Sequence, residues 1–303
     1  MNINIWQTIF LALLQGVTEL FPVSSLGHTV ILPGLLPQLF PPGFATDTSC
    51  DGQSCFLPLV TALHIGTSIA LVIYFWRDWL QVCRTIFNSI KNAEISKGTE
   101  EWVGWLIIIG CIPGGILGVT LETPLKKLFA SPVLTAGFLV VNGAILYLGE
   151  ALRHRAEAKY AITSAKESEA SFRPLSSLSW KEALIVGCAQ SLALIPGISR
   201  AGTTMVAGLG VRLSHEDAAR FSFLLGTPLI AAAGLLEIPQ LFGQNAHTWM
   251  LIIIGVVLSG VAAFVSTKFL TKYFEKGRLT PFAIYCCVFG LVALVVLFFL
   301  HAS

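Results

Sequence analysis

The sequence predicts an all-α polytopic membrane protein: six transmembrane helices plus two re-entrant helical hairpins, arranged as an inverted-topology repeat. Three observations carry that prediction. Of 303 residues, 54% are hydrophobic and only 12% charged, with mean hydropathy +0.76, whereas a soluble domain carries roughly 25% charged residues. Six apolar runs are long enough for the about 20 helical residues that a bilayer core requires. Two further apolar segments are each interrupted at a proline, and the interruptions resemble one another. The net charge of +2 comes from nearly balanced acids and bases, so no strong field for nucleic acid or acidic partners is generated and nucleic-acid binding is set aside.

From the N-terminus, residues 5 to 20 and 24 to 36 are split at Phe21-Pro22-Val23. Pieces of about 16 and 13 residues rise only ~24 Å and ~20 Å, too little to span. Ile3 to Leu14 has no basic n-region and no small-residue cleavage site, so it reads as part of the mature fold rather than a removable signal peptide. The loop from 36 to 55 holds Cys50 and Cys55 among Pro, Gly, Ser and Asp. The other five cysteines lie mostly in apolar runs, where a thiol behaves as a small hydrophobe. With no histidine or further cysteine at metal-ligand spacing, Cys50 and Cys55 favour a short disulfide over a zinc site if the loop faces an oxidising compartment.

Full spans are expected at 56 to 76, 103 to 121, 132 to 152, 217 to 236, 249 to 270 and 281 to 300. Gly110, Gly114 and Gly118 at four-residue spacing read as a helix-packing face. Residues 153 to 181 carry charges of both signs and several serines, and read as a mobile cytoplasmic linker without a domain of its own. The second broken segment, 182 to 195 and 199 to 211, is split at Pro196-Gly197-Ile198. Irregular backbone at membrane depth survives only inside protein or beside a water-filled cavity, so both broken segments, 5–36 and 182–211, are expected to be re-entrant hairpins.

The two hairpins match each other. Gln15 precedes Gly27 by twelve residues as Gln190 precedes Gly202; Ser24 and Ser199 each follow the glutamine by nine; Pro22 and Pro196 lie between. Leu63 to Thr67 matches Leu224 to Thr227 downstream. The chain is therefore expected to be one membrane domain made of repeat one, 1–152, and repeat two, 182–303. With both hairpins re-entrant, sixteen of the nineteen Lys and Arg fall on one side. The positive-inside rule makes that side cytoplasmic, with the first hairpin and both termini outside. Repeats of opposite topology bring their broken helices together near the bilayer midplane.

The first break holds the chemistry-bearing side chains. Gln15 and Glu19 share a helical face, and Glu19 is the first carboxylate in the chain; an intramembrane carboxylate is by default a functional-site candidate, against the plainer reading of a protonated or serine-paired structural acid. Ser24 or Ser25 would cap the second half-helix, aiming its free N–H groups and positive dipole end into the break. In the second break Ser199 plays the cap, Gly197 and Gly202 permit close backbone approach, and Arg200 is a planar fork suited to phosphate; Thr203 and Thr204 add hydroxyls. The plainer readings are an Arg200 that only pairs with Glu19, and Ser24 and Ser199 that only cap. His28, one turn past the serines, is read as facing the same cavity in a proton-transfer or nucleophilic role. His64 reads as a packing or supporting residue, and His154, His215, His247 and His301 as solvated.

The segment Gln15 to His28, with its Pro-Val-Ser-Ser-x-Gly-His run, resembles the first signature of the bacitracin-resistance type undecaprenyl pyrophosphate phosphatases. Pro196 to Thr204 resembles their second signature, and the likeness extends over nearly the whole chain. The resemblance implies hydrolysis of the C55 lipid pyrophosphate to the monophosphate, with Mg²⁺ or Ca²⁺, at a site opening outward from the bacterial plasma membrane. It places Glu19, Ser25, His28, Arg200 and Thr204 on the family's functional positions, Glu19 also on the metal, and Gln15 on its first acidic one. Three departures stand out: Gln15 is an amide, which weakens a mechanism needing two carboxylates on metal; Ala201 replaces a frequent serine; and the 36 to 55 loop, with its cysteines, is longer than usual. Partners implied are the lipid pyrophosphate and bilayer lipids, with a homodimer allowed. Whether Ser25 or His28 attacks phosphorus, or Glu19 and His28 activate water, stays open, with Ser25 favoured. The rival readings are a polyprenyl-phosphate flippase using the same anion site and, more weakly, a structural or channel subunit, which leaves Glu19 and Arg200 unexplained.

Overall fold

The computed structural model describes residues 3–36, 38–40, 56–92, 100–121, 131–163 and 172–302, and every regular element among them is helical. The Cys50–Cys55 pair lies outside the described residues. Helix α1 (Ile5–Thr18) opens on a capping box in which Asn4 accepts from the Gln7 amide and Gln7 accepts from that of Asn4. After the break come α2 (Ser25–Leu35), α3 (Phe56–Tyr74), α4 (Trp76–Asn92), α5 (Glu100–Thr120) and α6 (Pro132–Thr163). The second half comprises α7 (Trp180–Ser191), α8 (Arg200–Gly210), α9 (His215–Glu237), α10 (Ala246–Phe274) and α11 (Thr280–Ala302).

Five of these, α5, α6, α9, α10 and α11, are long and apolar enough to cross a membrane. The remaining expected span, 56 to 76, is α3, which stops at Tyr74; the chain there bends by 83° into α4. The first broken segment forms α1 and α2, and the second forms α7, a short 3₁₀ turn at Leu192–Leu194, and α8.

The halves interlock rather than pack separately. Helix α1 and α3 lie on α10, α3 also on α9, α7 lies on α5, and α2 and α8 both lie on α6. The α5–α7 crossing uses the glycine series. A Cβ on Gly187 would overlap the Gly110 backbone, and one on Gly110 or Gly114 would press on Leu225 or Leu229, while Gly118 faces open space.

The segment read as a linker is more ordered than its composition suggests. Helix α6 runs on to Thr163, and beyond residues 164–171 the chain docks, burying Leu175 and Leu178, with the Trp102 indole donating to the Leu178 carbonyl at 2.7 Å. His215 is not solvated either: its Nε2 lies 2.9 Å from the buried Glu150 carboxylate, which also accepts from the Leu279 amide at 3.1 Å. A buried carboxylate at the end of a span requires such partners, and the sequence could not say which turn supplies them.

Candidate active site

Helix α1 ends because Glu19, its last hydrogen-bonded residue, is followed by the Pro22 turn. The Glu19 amide still donates to the Gln15 carbonyl at 2.9 Å. Ser24 then takes φ 66°, in the left-handed region, a conformation that costs a non-glycine residue on the order of 1–3 kcal/mol unless its surroundings hold it. Its hydroxyl accepts from the Gly27 amide at 3.2 Å, and its carbonyl accepts from the His28 ring Nδ1 at 2.8 Å. In the second break Gly197 takes φ 97° and passes so close to α6 that a Cβ would come 2.9 Å from Leu139 N. Ser199 caps α8 by accepting from Gly202 N at 3.1 Å.

One residue staples the breaks together. The amide of Asn142, fully buried on α6, donates to the Pro22 carbonyl at 3.1 Å, and its oxygen accepts from the Ser199 amide at 2.9 Å. The starts of α2 and α8 thus face each other, each presenting amide donors and a positive helix end.

Around that junction a polar cluster forms on Glu19, which is 7% exposed. Its Oε2 accepts from the Ser25 hydroxyl at 2.5 Å and from the Gln15 amide at 3.1 Å; its Oε1 accepts from Arg200 Nη2 and Nε at 3.3 and 3.4 Å. Arg200 is held from behind by Nη1 donating to the Ser222 carbonyl at 3.0 Å. It also lies flat on Gly226, where any Cβ would overlap its guanidinium. The Arg200–Glu19 contacts are longer than the about 2.7–2.9 Å of a tight charge-assisted bond, so the fork neutralises the carboxylate loosely.

His64 completes the cluster. Its Nδ1 faces the carbonyls of Thr61 and Val60 at 3.1 and 3.2 Å, which places the ring proton there. Nε2 lies 3.2 Å from Gln15 Nε2 and 3.4 Å from Glu19 Oε2. The Gln15 amide group thus donates to Glu19 and lies against His64. Its oxygen, Oε1, is buried with no hydrogen-bond partner among the described residues. Those residues hold no group of three His, Cys, Asp or Glu side chains around a metal position.

The structure brings together Gln15, Glu19, Ser25 and Arg200 as the sequence predicts, with Ser24 and Ser199 as caps and Gly197 at the closest backbone approach. Three expectations change. His28 is buried but turned away from Glu19: it stacks on Tyr285 and Phe289, with its Nε2 2.7 Å from the Tyr285 hydroxyl. Thr203 and Thr204 donate their hydroxyls back to the Ser199 and Arg200 carbonyls at 3.0 and 2.7 Å, so neither keeps a proton for a ligand in this arrangement. Gln190, the repeat counterpart of Gln15, is buried with both amide atoms unpartnered among the described residues. His64 takes the supporting place the sequence suggests, whereas the sequence does not single out Asn142, Gly226 and Tyr285. Asn142 had a signal, as the single amide inside the apolar run 132 to 152.

Comparison with known proteins finds relatives along nearly the whole chain. The profile of the family described as bacitracin resistance protein BacA matches residues 8–292. An undecaprenyl-diphosphatase of Mycolicibacterium paratuberculosis is 44% identical over 297 residues, covering 95% of this chain and 96% of that protein. One of Mycobacterium avium is 43% identical with the same coverage, and undecaprenyl-diphosphatase 2 of Burkholderia thailandensis is 43% identical over 295 residues, covering 96% of each chain.

Proposed function

The chain belongs to the bacitracin resistance protein BacA family, and from that premise we propose that it hydrolyses undecaprenyl pyrophosphate to undecaprenyl phosphate and inorganic phosphate. The reaction returns the lipid carrier to peptidoglycan synthesis, and the family's name ties it to bacitracin resistance. The observation that supports the site is the meeting of Glu19 and Arg200 across two broken helices whose N-terminal ends face each other.

The pyrophosphate sits at that junction, its charge offset by the amide ends of α2 and α8 and by the Arg200 fork. Phosphoryl transfer asks chiefly for such positioning and charge stabilisation. Ser25, bonded to Glu19 Oε2, is the nucleophile: its Oγ bonds to the terminal phosphorus, the bridging P–O bond breaks, undecaprenyl phosphate leaves, and the serine proton passes to Glu19. Water then attacks the phosphoserine, the P–Oγ bond breaks, inorganic phosphate leaves with the water oxygen and its protons, and Glu19 returns its proton to the Ser25 oxygen. His64 and Gln15 hold the Glu19 carboxylate in place. His28 acts through the Ser24 carbonyl, fixing the strained turn that aims Ser25.

Glu19 and the unpartnered Oε1 of Gln15 would hold a hard divalent cation: Mg²⁺ is held by one or two protein oxygens together with substrate phosphates and waters, and Ca²⁺ would need more oxygens from phosphate and water. When bound, the cation neutralises phosphate oxygens and polarises the reacting phosphoryl group. The site opens to the extracytoplasmic side of the bacterial plasma membrane, on the charge asymmetry of the loops.

The test is phosphate release from undecaprenyl or farnesyl pyrophosphate by detergent-solubilised protein, with and without EDTA, for wild type, Glu19→Ala and Arg200→Ala. Metal-dependent release lost in both folded variants is expected. A wild type that binds the lipid without releasing phosphate would replace the enzyme with a lipid-phosphate flippase.

A further inference from the structure

We propose that α4 is an in-plane helix at the membrane surface whose basic stripe binds the phosphate headgroups of anionic phospholipids. The inference rests on a different part of the molecule from the site above. The 83° bend at Phe75 turns the chain from the direction of α3 to nearly perpendicular to it, so with α3 across the bilayer α4 runs along its surface.

At 3.6 residues per turn, α4 divides into three faces. The inner one is fixed to the protein: Val82 and Thr85 are buried, Asp78 pairs with Arg220, and Ser89 accepts from the Trp105 indole at 3.3 Å. The outer one is apolar and uncovered: Trp76, Leu80, Phe87 and Ile90 are 51%, 46%, 67% and 69% exposed. It continues around the bend into exposed Ile69, Val72 and Ile73 of α3. The third, beside the apolar face, carries Arg77, Arg84 and Lys91 at seven-residue spacing, all exposed. Arg77 lies over the Trp76 ring at 5.3 Å, and Arg84 and Lys91 form no ion pair among the described residues. Past the stripe come exposed Gln81, Asn88 and Asn92.

Circling the helix, the order is apolar, cationic, neutral polar, which is the order of acyl chain, headgroup phosphate and water at a bilayer surface. Charge decides the lipid. Asp78 is the single acid on α4 and it is already paired with Arg220, so the open surface of the helix is purely cationic and complements an anionic headgroup.

The full-length protein reconstituted in nanodiscs tests this with two readouts. Cys83 lies on the apolar face and is exposed on the isolated protein; peptide mass spectrometry distinguishes it from the other cysteines. In a bilayer it is expected to be protected from a charged thiol reagent, and ready labelling would overturn the proposal in favour of a water-facing surface for a soluble partner. Native mass spectrometry then compares retained phosphatidylglycerol with phosphatidylcholine. Each of Arg77→Gln, Arg84→Gln and Lys91→Gln should lower the phosphatidylglycerol preference about fivefold, and Lys268→Gln with Lys272→Gln should leave α4-dependent retention unchanged. Pyrophosphate hydrolysis in phosphatidylcholine discs should match wild type, showing that the variants are folded. A wild type without phosphatidylglycerol preference, or a folded triple variant that keeps it, overturns the proposal.

Discussion

Gly226→Ala is the sharpest probe of the site because it adds one methyl group against the Arg200 guanidinium without replacing any side chain of the site. Gly226 sits inside α9 (His215–Glu237), where glycine costs about 1 kcal/mol relative to alanine, so helix propensity alone favours the substitution. A Cβ there would overlap Nη1 and Cζ of Arg200 and lie 2.8 Å from Nη2. Those atoms are the tip of a flexible side chain, so they yield, and the guanidinium shifts by roughly 2 Å to reach ordinary van der Waals distance of ~3.5–4.0 Å. Its Nη2 begins 3.3 Å from Glu19 Oε1 and its Nη1 3.0 Å from the Ser222 carbonyl, so a shift of that size disturbs the contacts that seat the fork. Misplacing a charge-stabilising group by about 1 Å lowers turnover on the order of 10²-fold. Thermal unfolding in detergent should change by no more than ~1 kcal/mol, while phosphate release falls about a hundredfold. Gly137→Ala, on a helix with open space at that position, serves as the control with neither effect. A folded Gly226→Ala protein retaining more than about a third of wild-type release would refute the claim that this seat positions Arg200.

Further outcomes follow from the same contacts. Arg200→Met leaves a buried carboxylate uncompensated and should cost about 3–5 kcal/mol of stability, most of it recovered in Glu19→Gln/Arg200→Met, as measured by thermal unfolding. Asn142→Leu strands the Pro22 carbonyl and the Ser199 amide, each worth about 1–3 kcal/mol when buried without a partner; denaturation should show the loss, and release should fall because the breaks separate. Tyr285→Phe keeps the stack on His28 and removes only the hydroxyl, so activity should drop no more than about tenfold, with unchanged expression. Ser25→Ala should abolish any phosphoenzyme trapped by acid quench, whereas His28→Ala should reduce it without moving it to another residue.

Much of this architecture was legible because the relevant signals are local. Pro22 and Pro196-Gly197 cannot continue a helix, and Ser24 and Ser199 can start one, so both breaks and both caps stand in the sequence. Glu19 and Arg200 were legible because a charge inside an apolar stretch needs a reason. What could not be read were directions and distant partners. His28 lies one turn into α2, but its helical phase depends on the left-handed Ser24, which turns the ring toward Tyr285 on a helix more than two hundred residues away. Thr203 and Thr204 satisfy themselves on their own helix, a choice that spacing does not reveal. His215 and the 172–179 segment look polar in sequence, and only the fold shows that Glu150 and Trp102 wait for them. His64 reads as a supporting residue in the sequence, but that it supports Gln15 and Glu19 is a tertiary fact.

The central claim is that Glu19 from the first break and Arg200 from the second act as one unit. A double-mutant cycle on kcat/KM for phosphate release, using Glu19→Gln, Arg200→Met and the combined variant in protein shown to be folded, tests it most directly. Each single variant is expected to lose on the order of 10²–10³-fold, with the double variant no worse than the poorer single, because groups that work as a unit are strongly non-additive. Full additivity, or a single variant retaining more than about one-tenth of wild-type kcat/KM, would contradict it.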